Sequence, residues 1–154
     1  MTHSEEITNP KRYTSNGIEC WDFWLRAELD PLIASAVKYV WRYKHKNGLE
    51  DLKKSLVFLE KAYSLTYIPV TFRDPYVFNI KDLPDMTPLQ LLFITQASLT
   101  VINEIVYKES IKNMVSIIHK IIEEEYAGDG VWLLLPRLQC NGLGDEIICN
   151  QPVS

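Results

Sequence analysis

The sequence predicts a mainly α-helical protein, a small helical domain with an antiparallel helical hairpin in its N-terminal part. Apolar residues recur at three- and four-residue spacing through much of the chain, which is the period of a helix with one buried face. Asp30-Pro31 and Thr87-Pro88 each place a capping side chain before a first-turn proline, as helix starts often do. At 154 residues and 47% hydrophobic, the chain can bury one core without metals or disulfides.

The first predicted elements are an extended arm over residues 1–16 and a helix from Ile18 to Leu29. The arm is polar, contains Pro10 and ends in a Thr-Ser-Asn-Gly turn. After the arm, residues 17–154 are predicted to form a single helical domain.

The second and third predicted helices, residues 31–46 and 49–65, make up the hairpin. Asp30 is the predicted N-cap of the second helix, and Asn47-Gly48 is a typical helix stop. Because this connection is so short, the two helices are predicted to lie antiparallel.

The C-terminal half is predicted to be helical with irregular connections. Residues 66–88 contain four prolines, which suits either a loop or a short β-hairpin. Two helices follow, at 89–107 and 108–126, and the first of them is apolar enough to be a buried element. The tail over residues 131–150 fits a short strand pair or a packed irregular segment, and the pattern does not decide between them.

Charge, cysteines and motifs exclude several classes of function. The net charge of -4 gives no positive field for duplex nucleic acid or an anionic membrane. The cysteines, Cys20, Cys140 and Cys149, lack the spacing of a cysteine or histidine metal site, so no metal site of that kind is predicted. Phosphate-loop, GxSxG and HExxH motifs are absent from the sequence. A polar N-terminus and the lack of a long apolar run predict a cytoplasmic protein.

One helix face carries the strongest functional signal. Lys38, Arg42 and Lys46 follow one another at four-residue spacing on the second helix, so they share a face. Clustered cations of this kind can hold a phosphate group. Tyr39 and Trp41 lie beside them, and an aromatic plane next to cations is a way to hold a nucleobase.

Two alternatives stay open at the level of the sequence. The basic face can equally be solvated and paired with Glu50 and Asp51 across the hairpin. Glu19 and Asp22, one helical turn apart, can help to hold a magnesium ion that bridges phosphates, as in nucleotide pyrophosphatases. Acidic residues in a first helical turn also complement the helix dipole without any ligand.

These residues also occur in the order of a known family pattern. The chain has RY, then GIECWD, then KYVWRYKHKNGLEDLKKS, where the pattern has His-Tyr, Gly-Ile-Glu-x-x-Asp, and Lys-Tyr-x-x-Arg followed by Lys and Asp-Leu-x-Lys. It resembles a family of small phage proteins of formerly unknown function, which includes the deoxynucleotide kinase of coliphage T-seven that lacks a phosphate loop. The resemblance covers about residues 12–65, and residues 66–154 look like a lineage-specific addition.

The resemblance implies a set of site residues. Those assigned to catalysis are Lys38, Arg42 and Asp51. Those assigned to substrate binding are Tyr13, Glu19, Asp22, Tyr39, Lys46 and Lys54, to which Trp41 is added from its place beside the cations. A kinase of this kind would use a nucleoside triphosphate as donor, with magnesium, and the resemblance also implies a homo-oligomer in the host cell cytoplasm.

The sequence departs from the family pattern at positions that bear on catalysis. Arg12 replaces the histidine, Ala34-Ser35 replaces Gly-Asn, and Ser55 replaces the closing alanine. Because the cations remain, these departures affect catalysis more than phosphate binding. The first hypothesis is therefore a nucleotide-binding protein, most simply a deoxynucleoside monophosphate kinase. The alternative is a non-enzymatic phage anti-defence protein, which inhibits a host immune protein or sequesters a nucleotide signal.

Overall fold

The computed structural model describes residues 17–68 and 71–127, which form five α-helices and two short 3-10 turns. The helices are α1 (Cys20–Ala27), α2 (Pro31–Arg42), α3 (Leu49–Ser64), α4 (Pro88–Leu99) and α5 (Glu104–Tyr126), and the 3-10 turns are Tyr43–His45 and Ile80–Asp82. No strand occurs in the part of the chain that is described, so the mainly helical class is confirmed. The predicted arm and the tail at 131–150 lie outside the described residues.

The start of α2 follows the prediction. Asp30 caps the helix, and its carboxylate accepts hydrogen bonds from the backbone N–H groups of Leu32 at 2.9 Å and Ile33 at 3.1 Å. The preceding helix α1 ends at Ala27, two residues earlier than predicted, because Glu28 adopts the left-handed conformation with φ of 52°. That conformation turns the chain directly into the Asp30 cap.

The hairpin of α2 and α3 is also confirmed. Arg42 at the end of α2 contacts Asp51 at the start of α3. One turn or more further along α3, the Ser55 hydroxyl donates to the backbone carbonyl of Ala36 at 2.9 Å. The contact partner on α2 thus has a lower residue number as the residue number on α3 increases, which shows that the two helices are antiparallel. Gly48, with φ of +51°, makes the turn between them, and α2 tightens into a 3-10 turn before it.

The predicted boundary between the last two helices, at residues 107–108, is wrong. The chain breaks instead between α4 and α5, where the Thr100 hydroxyl donates to the Ala97 carbonyl at 2.7 Å. Asn103 then caps α5 by accepting a hydrogen bond from the Val106 N–H at 2.8 Å. Side-chain capping by these polar residues ends one helix and starts the next although the apolar pattern continues through the break.

The remaining connection, over residues 71–79, has no regular structure. The sequence allowed either a loop or a short β-hairpin for residues 66–88. The described residues of this segment form a loop with one 3-10 turn. Its aromatic side chains pack onto α1, since the Phe78 ring lies 5.5 Å from the ring of Phe23 in an edge-on arrangement. Edge-on aromatic pairs are a favourable geometry, so the segment contributes to the core.

The core lies among all five helices. Its fully buried large side chains include Phe23, Ile33, Leu59, Phe93, Ile94, Ile111, Met114 and Ile118. A buried amide joins two of the helices, because Gln90 of α4 donates to the Val40 carbonyl of α2 at 2.9 Å. That carbonyl belongs to the last turn of α2, where helix carbonyls lack intrahelical partners. No helix within the described ranges is long and apolar enough to cross a bilayer.

Asp30 gives the fold a predictable pH dependence. Burial raises the pKa of its carboxyl above the ordinary value, although the N–H groups of Ile33 and Leu32 and the hydroxyl of Tyr107 act to lower it. A raised pKa means that the folded state prefers the protonated form, so stability from this group is lost as the pH rises through the folded pKa. Asparagine caps as well as aspartate does and carries no charge to desolvate.

We therefore expect Asp30→Asn to be at least as stable as the parent protein at pH 7, with its relative advantage shrinking as the pH falls toward about 4, near the unfolded aspartate pKa. Asp30→Ala is the matched control and loses about 1 kcal/mol or more, because the cap is gone. Urea denaturation of the three proteins between pH 4 and 7 measures both effects. An asparagine variant that is less stable than the parent at pH 7 would refute this account of the carboxyl.

Candidate functional site

The predicted basic face of α2 is arranged around one aromatic ring, that of Tyr39. The Lys38 ammonium lies 4.4 Å from the centroid of this ring, the Arg42 guanidinium 4.9 Å and the Lys54 ammonium 5.8 Å. These distances allow cation–π attraction. Phe58 stacks on the same ring, with 5.8 Å between centroids and 23° between planes. These five residues, Lys38, Tyr39, Arg42, Lys54 and Phe58, are called the Tyr39 cluster.

The hairpin places the Tyr39 cluster by simple helix geometry. On α2, Lys38 and Arg42 are four residues apart, and on α3 the same spacing separates Lys54 and Phe58. Residues four apart lie one above the other on a helix. Each helix therefore presents one pair of side chains on a single face. The antiparallel packing of α2 against α3 brings both pairs to the ring of Tyr39.

A buried carboxylate holds the arginine of the cluster. Arg42 is 7% exposed, and its Nη2 atom lies 3.4 Å from Oδ1 of Asp51, whose exposure is 0%. The other oxygen, Oδ2, accepts a hydrogen bond from the backbone N–H of Asn47 at 3.2 Å. A carboxylate engaged through both oxygens is suited to orient a guanidinium. The pairing of Asp51 with Arg42 across the hairpin is what the ligand-free alternative expects, and a direct part of either residue in catalysis stays a prediction.

The two lysines of the cluster are more accessible than the arginine. Lys38 is half-buried, and the Lys54 side chain is 43% exposed. Lys54 also lies 3.4 Å from the carboxylate of Glu50, whose side chain is 67% exposed. Ion pairs this exposed contribute little and are readily exchanged. Three cations therefore face two carboxylates, those of Asp51 and Glu50, and an incoming anion can replace the exposed Glu50.

A small cavity adjoins the cluster on the side of α1. Its volume is about 150 Å³, and the described residues that line it are Cys20, Trp21, Trp24 and Lys38. Burial raises the pKa of the Cys20 thiol far above its ordinary range, although Lys38 and Arg42 act to lower it. A thiol that stays protonated is a poor nucleophile and a poor metal ligand. Among the described lining residues, Cys20 thus contributes an uncharged side chain and Lys38 the one charged side chain.

The predicted acidic pair at the start of α1 serves the helix itself. Glu19 and Asp22 form a reciprocal capping box, in which the Asp22 carboxylate accepts the Glu19 backbone N–H at 3.4 Å. The sequence left a ligand-free role open for these residues as complements of the helix dipole, and the capping box is a second such role. Their part in substrate binding stays a prediction. Across residues 17–68 and 71–127, no group of three or more histidine, cysteine or acidic side chains is placed to hold a metal ion.

Two other predicted site residues, Trp41 and Lys46, lie outside the Tyr39 cluster, and a third is not described. Trp41 is 5% exposed, and its ring lies 5.9 Å from the core residue Phe23. Lys46 is an exposed residue of the turn that follows α2. Tyr13 lies outside the described residues. Trp41 is therefore a core side chain, which leaves Tyr39 as the aromatic ring that α2 contributes to the cations.

Phe58, Trp21 and Trp24 are features of the site that the sequence did not identify. Phe58 follows Lys54 by four residues, so the helical period could have placed it on the same face. Trp21 is one of the unspecified positions inside the GIECWD stretch, and Trp24 lies three residues after it. Nothing in the local pattern says that α1 packs beside Lys38, because that contact depends on tertiary structure.

Comparison with known proteins locates a family match on the same segment. Residues 7–60 match the model of a family described as protein of unknown function (DUF3310). The matched segment includes α1, α2, most of α3 and every member of the Tyr39 cluster. Neither the curated proteins nor the solved structures yield a match. The chain is thus similar to a small family of unknown function over its N-terminal part.

Proposed function

We propose that this chain binds nucleotides, with a phosphate group held at the Tyr39 cluster, and that its simplest activity is phosphoryl transfer to a deoxynucleoside monophosphate. The observation that supports this most is the convergence of three cationic side chains within 5.8 Å of one ring centroid. Cations so close to one point repel one another and can act together on a single phosphate. The resemblance to a phage kinase family supplies the class of reaction.

The cationic residues of the cluster have different roles in this proposal. Lys38 and Lys54, the accessible cations, bind phosphate oxygens, and Lys54 exchanges its exposed Glu50 partner for the ligand. Arg42 is held in place by the buried Asp51, so its guanidinium is preorganised for the charge that builds up on a transferred phosphoryl group. Positioning and charge stabilisation are most of what this chemistry asks of a protein.

Magnesium enters this proposal with the donor. Because the described residues offer no cluster of three metal ligands, the ion would arrive on the phosphates of a nucleoside triphosphate. Mg²⁺ is commonly bound in this way, through substrate phosphates and water with few protein carboxylates. The ion would supply further neutralisation of phosphate charge.

Binding should depend on the two accessible lysines. We expect Lys38→Ala and Lys54→Ala each to weaken deoxynucleoside monophosphate binding about ten- to a hundredfold, since each removes a charge-assisted hydrogen bond. Lys61→Ala is the matched control, because Lys61 is an exposed lysine of the same helix as Lys54. Isothermal titration calorimetry measures all four proteins. Equal losses in the control, or none in Lys38→Ala and Lys54→Ala, would refute phosphate binding at this cluster.

Turnover separates the kinase from the second candidate, a non-enzymatic anti-defence protein. The departures from the family pattern at Arg12 and Ser35 favour this candidate, because they affect catalysis and leave the cations in place. The kinase predicts transfer of the labelled γ-phosphate of a nucleoside triphosphate to the monophosphate, and loss of that transfer in Arg42→Lys. Tight nucleotide binding with no transfer would rule out the kinase and leave sequestration of a nucleotide.

A further inference from the structure

The cavity beside the Tyr39 cluster has the composition of a site for a flat ring. The described residues that line it are Trp21, Trp24, Cys20 and Lys38. Cys20 is 2% exposed and lies deep, whereas Trp21 is 45% exposed and lies at the rim. Aromatic rings stack favourably on indole faces, and none of the four side chains carries a negative charge that would repel an anionic ligand.

The volume of the cavity limits what can enter. It measures about 150 Å³, and an apolar cavity of roughly 150 Å³ in another protein holds a benzene molecule. One six-membered ring therefore fills this space. A fused two-ring base is larger than one six-membered ring and would extend beyond this space.

Lys38 connects the cavity to the phosphate site. Its side chain lines the cavity, and its ammonium lies 4.4 Å from the Tyr39 ring centroid, inside the Tyr39 cluster. A single residue thus borders both the space for a ring and the group of cations. A ligand with a ring at one end and a phosphate at the other can occupy both at once.

We infer that this cavity is a base subsite that selects one-ring bases, so that the preferred ligands are pyrimidine deoxynucleoside monophosphates. This inference rests on the proposed nucleotide-binding function and adds to it the identity of the base. Selection arises because a one-ring base matches the volume of the cavity, whereas a two-ring base exceeds it.

The test compares five ligands: dTMP, dCMP, dAMP, dGMP and deoxyribose 5-phosphate, which has no base. We expect the parent protein to bind the two pyrimidine nucleotides at least about tenfold more tightly than the purine nucleotides and deoxyribose 5-phosphate, a difference within the range of base stacking on aromatic side chains. Calorimetry gives each dissociation constant directly.

Variants at the rim localise the effect. Trp21→Ala should weaken dTMP binding about tenfold and leave deoxyribose 5-phosphate unchanged, because it removes a stacking surface and no charge. Trp21→Phe should restore most of the affinity. Leu25→Ala is the matched control, since Leu25 lies one turn further along α1 and is 74% exposed, and it should bind dTMP as the parent does.

The possible failures are distinguishable. Purine nucleotides that bind as tightly as pyrimidine nucleotides, or a Trp21→Ala variant with unchanged dTMP affinity, would overturn the base subsite while phosphate binding stands. Deoxyribose 5-phosphate that binds as tightly as dTMP would do the same. Absence of binding for all five ligands would overturn the proposed function and the base subsite together.

Discussion

Replacing Asp51 with alanine is expected to lower the free energy of unfolding by about 3–5 kcal/mol, the range found when one partner of a buried ion pair is removed. The Arg42 guanidinium, 7% exposed, would keep its charge and lose the carboxylate at 3.4 Å. The same carboxylate accepts the Asn47 N–H at 3.2 Å, so the hairpin turn loses a hydrogen bond as well. Urea denaturation at pH 7 measures the difference.

Two controls show whether the buried charge is the cause. The double variant Asp51→Ala/Arg42→Met should be more stable than Asp51→Ala alone, because no unpaired charge stays buried. Glu50→Ala breaks the exposed pair with Lys54 at 3.4 Å and should cost less than about 1 kcal/mol. An Asp51→Ala variant that is as stable as Glu50→Ala would contradict the supporting role assigned to Asp51.

Substituting Gly17 with alanine is expected to cost about 2–4 kcal/mol, from a left-handed backbone penalty and a steric clash. Gly17 has φ of +84°, and a Cβ atom there would lie 2.5 Å from the carbonyl oxygen of Asp82 and 2.7 Å from the carbonyl carbon of Leu83. Both are backbone atoms, which cannot swing aside. The neighbouring Ile18 N–H donates to the same Asp82 carbonyl at 2.8 Å, so the contact that anchors α1 would be lost.

Gly48→Ala is the matched comparison for this second prediction. Gly48 also has positive φ, +51°, but a Cβ atom there would meet the hydroxyl oxygen of Tyr126 at 3.0 Å, the tip of a side chain that can shift. With ψ of −122° the Gly48 backbone lies outside the left-handed helical region, in a conformation that favours glycine. The expected cost of alanine is about 1–3 kcal/mol, from backbone strain alone. Thermal and urea denaturation should therefore rank Gly17→Ala as the less stable variant, and equal stability would show that the Asp82–Leu83 contact is unimportant.

The parts of the fold that the sequence predicts are those with local signals. The cap at Asp30 and the turn at Asn47-Gly48 fix α2, α3 and their antiparallel pairing, because each acts over a few residues. The boundary between α4 and α5 is missed for the opposite reason. Apolar residues recur on both sides of the break, and only short polar side chains, those of Thr100 and Asn103, mark it.

The candidate site is predictable to a similar extent. Helical spacing and the family pattern together single out Lys38, Arg42 and Lys54, and the structure places all three around Tyr39. The sequence also assigns Trp41 to this site, because Trp41 is next to Arg42 in the chain. It follows Val37 by four residues, however, and so it shares the buried face of α2.

The cavity could not be predicted from these patterns. Its walls come from α1 and α2, and the contact between Trp21, Trp24 and Lys38 arises from the way these helices pack. Spacing within one helix carries no information on such contacts. Phe58, which stacks on Tyr39 from α3, follows Lys54 by four residues. Its place on the same helix face could therefore have been predicted from the sequence.

The most direct test of the central claim is where a nucleotide binds. Titration of the ¹⁵N-labelled protein with dTMP, followed by two-dimensional amide and indole NMR spectra, reports the contacted residues. Binding at the Tyr39 cluster predicts the largest shifts in residues 38–42 and 51–58 and in the Trp21 indole. Shifts confined to α4 and α5, or none at a saturating concentration of dTMP, would contradict it.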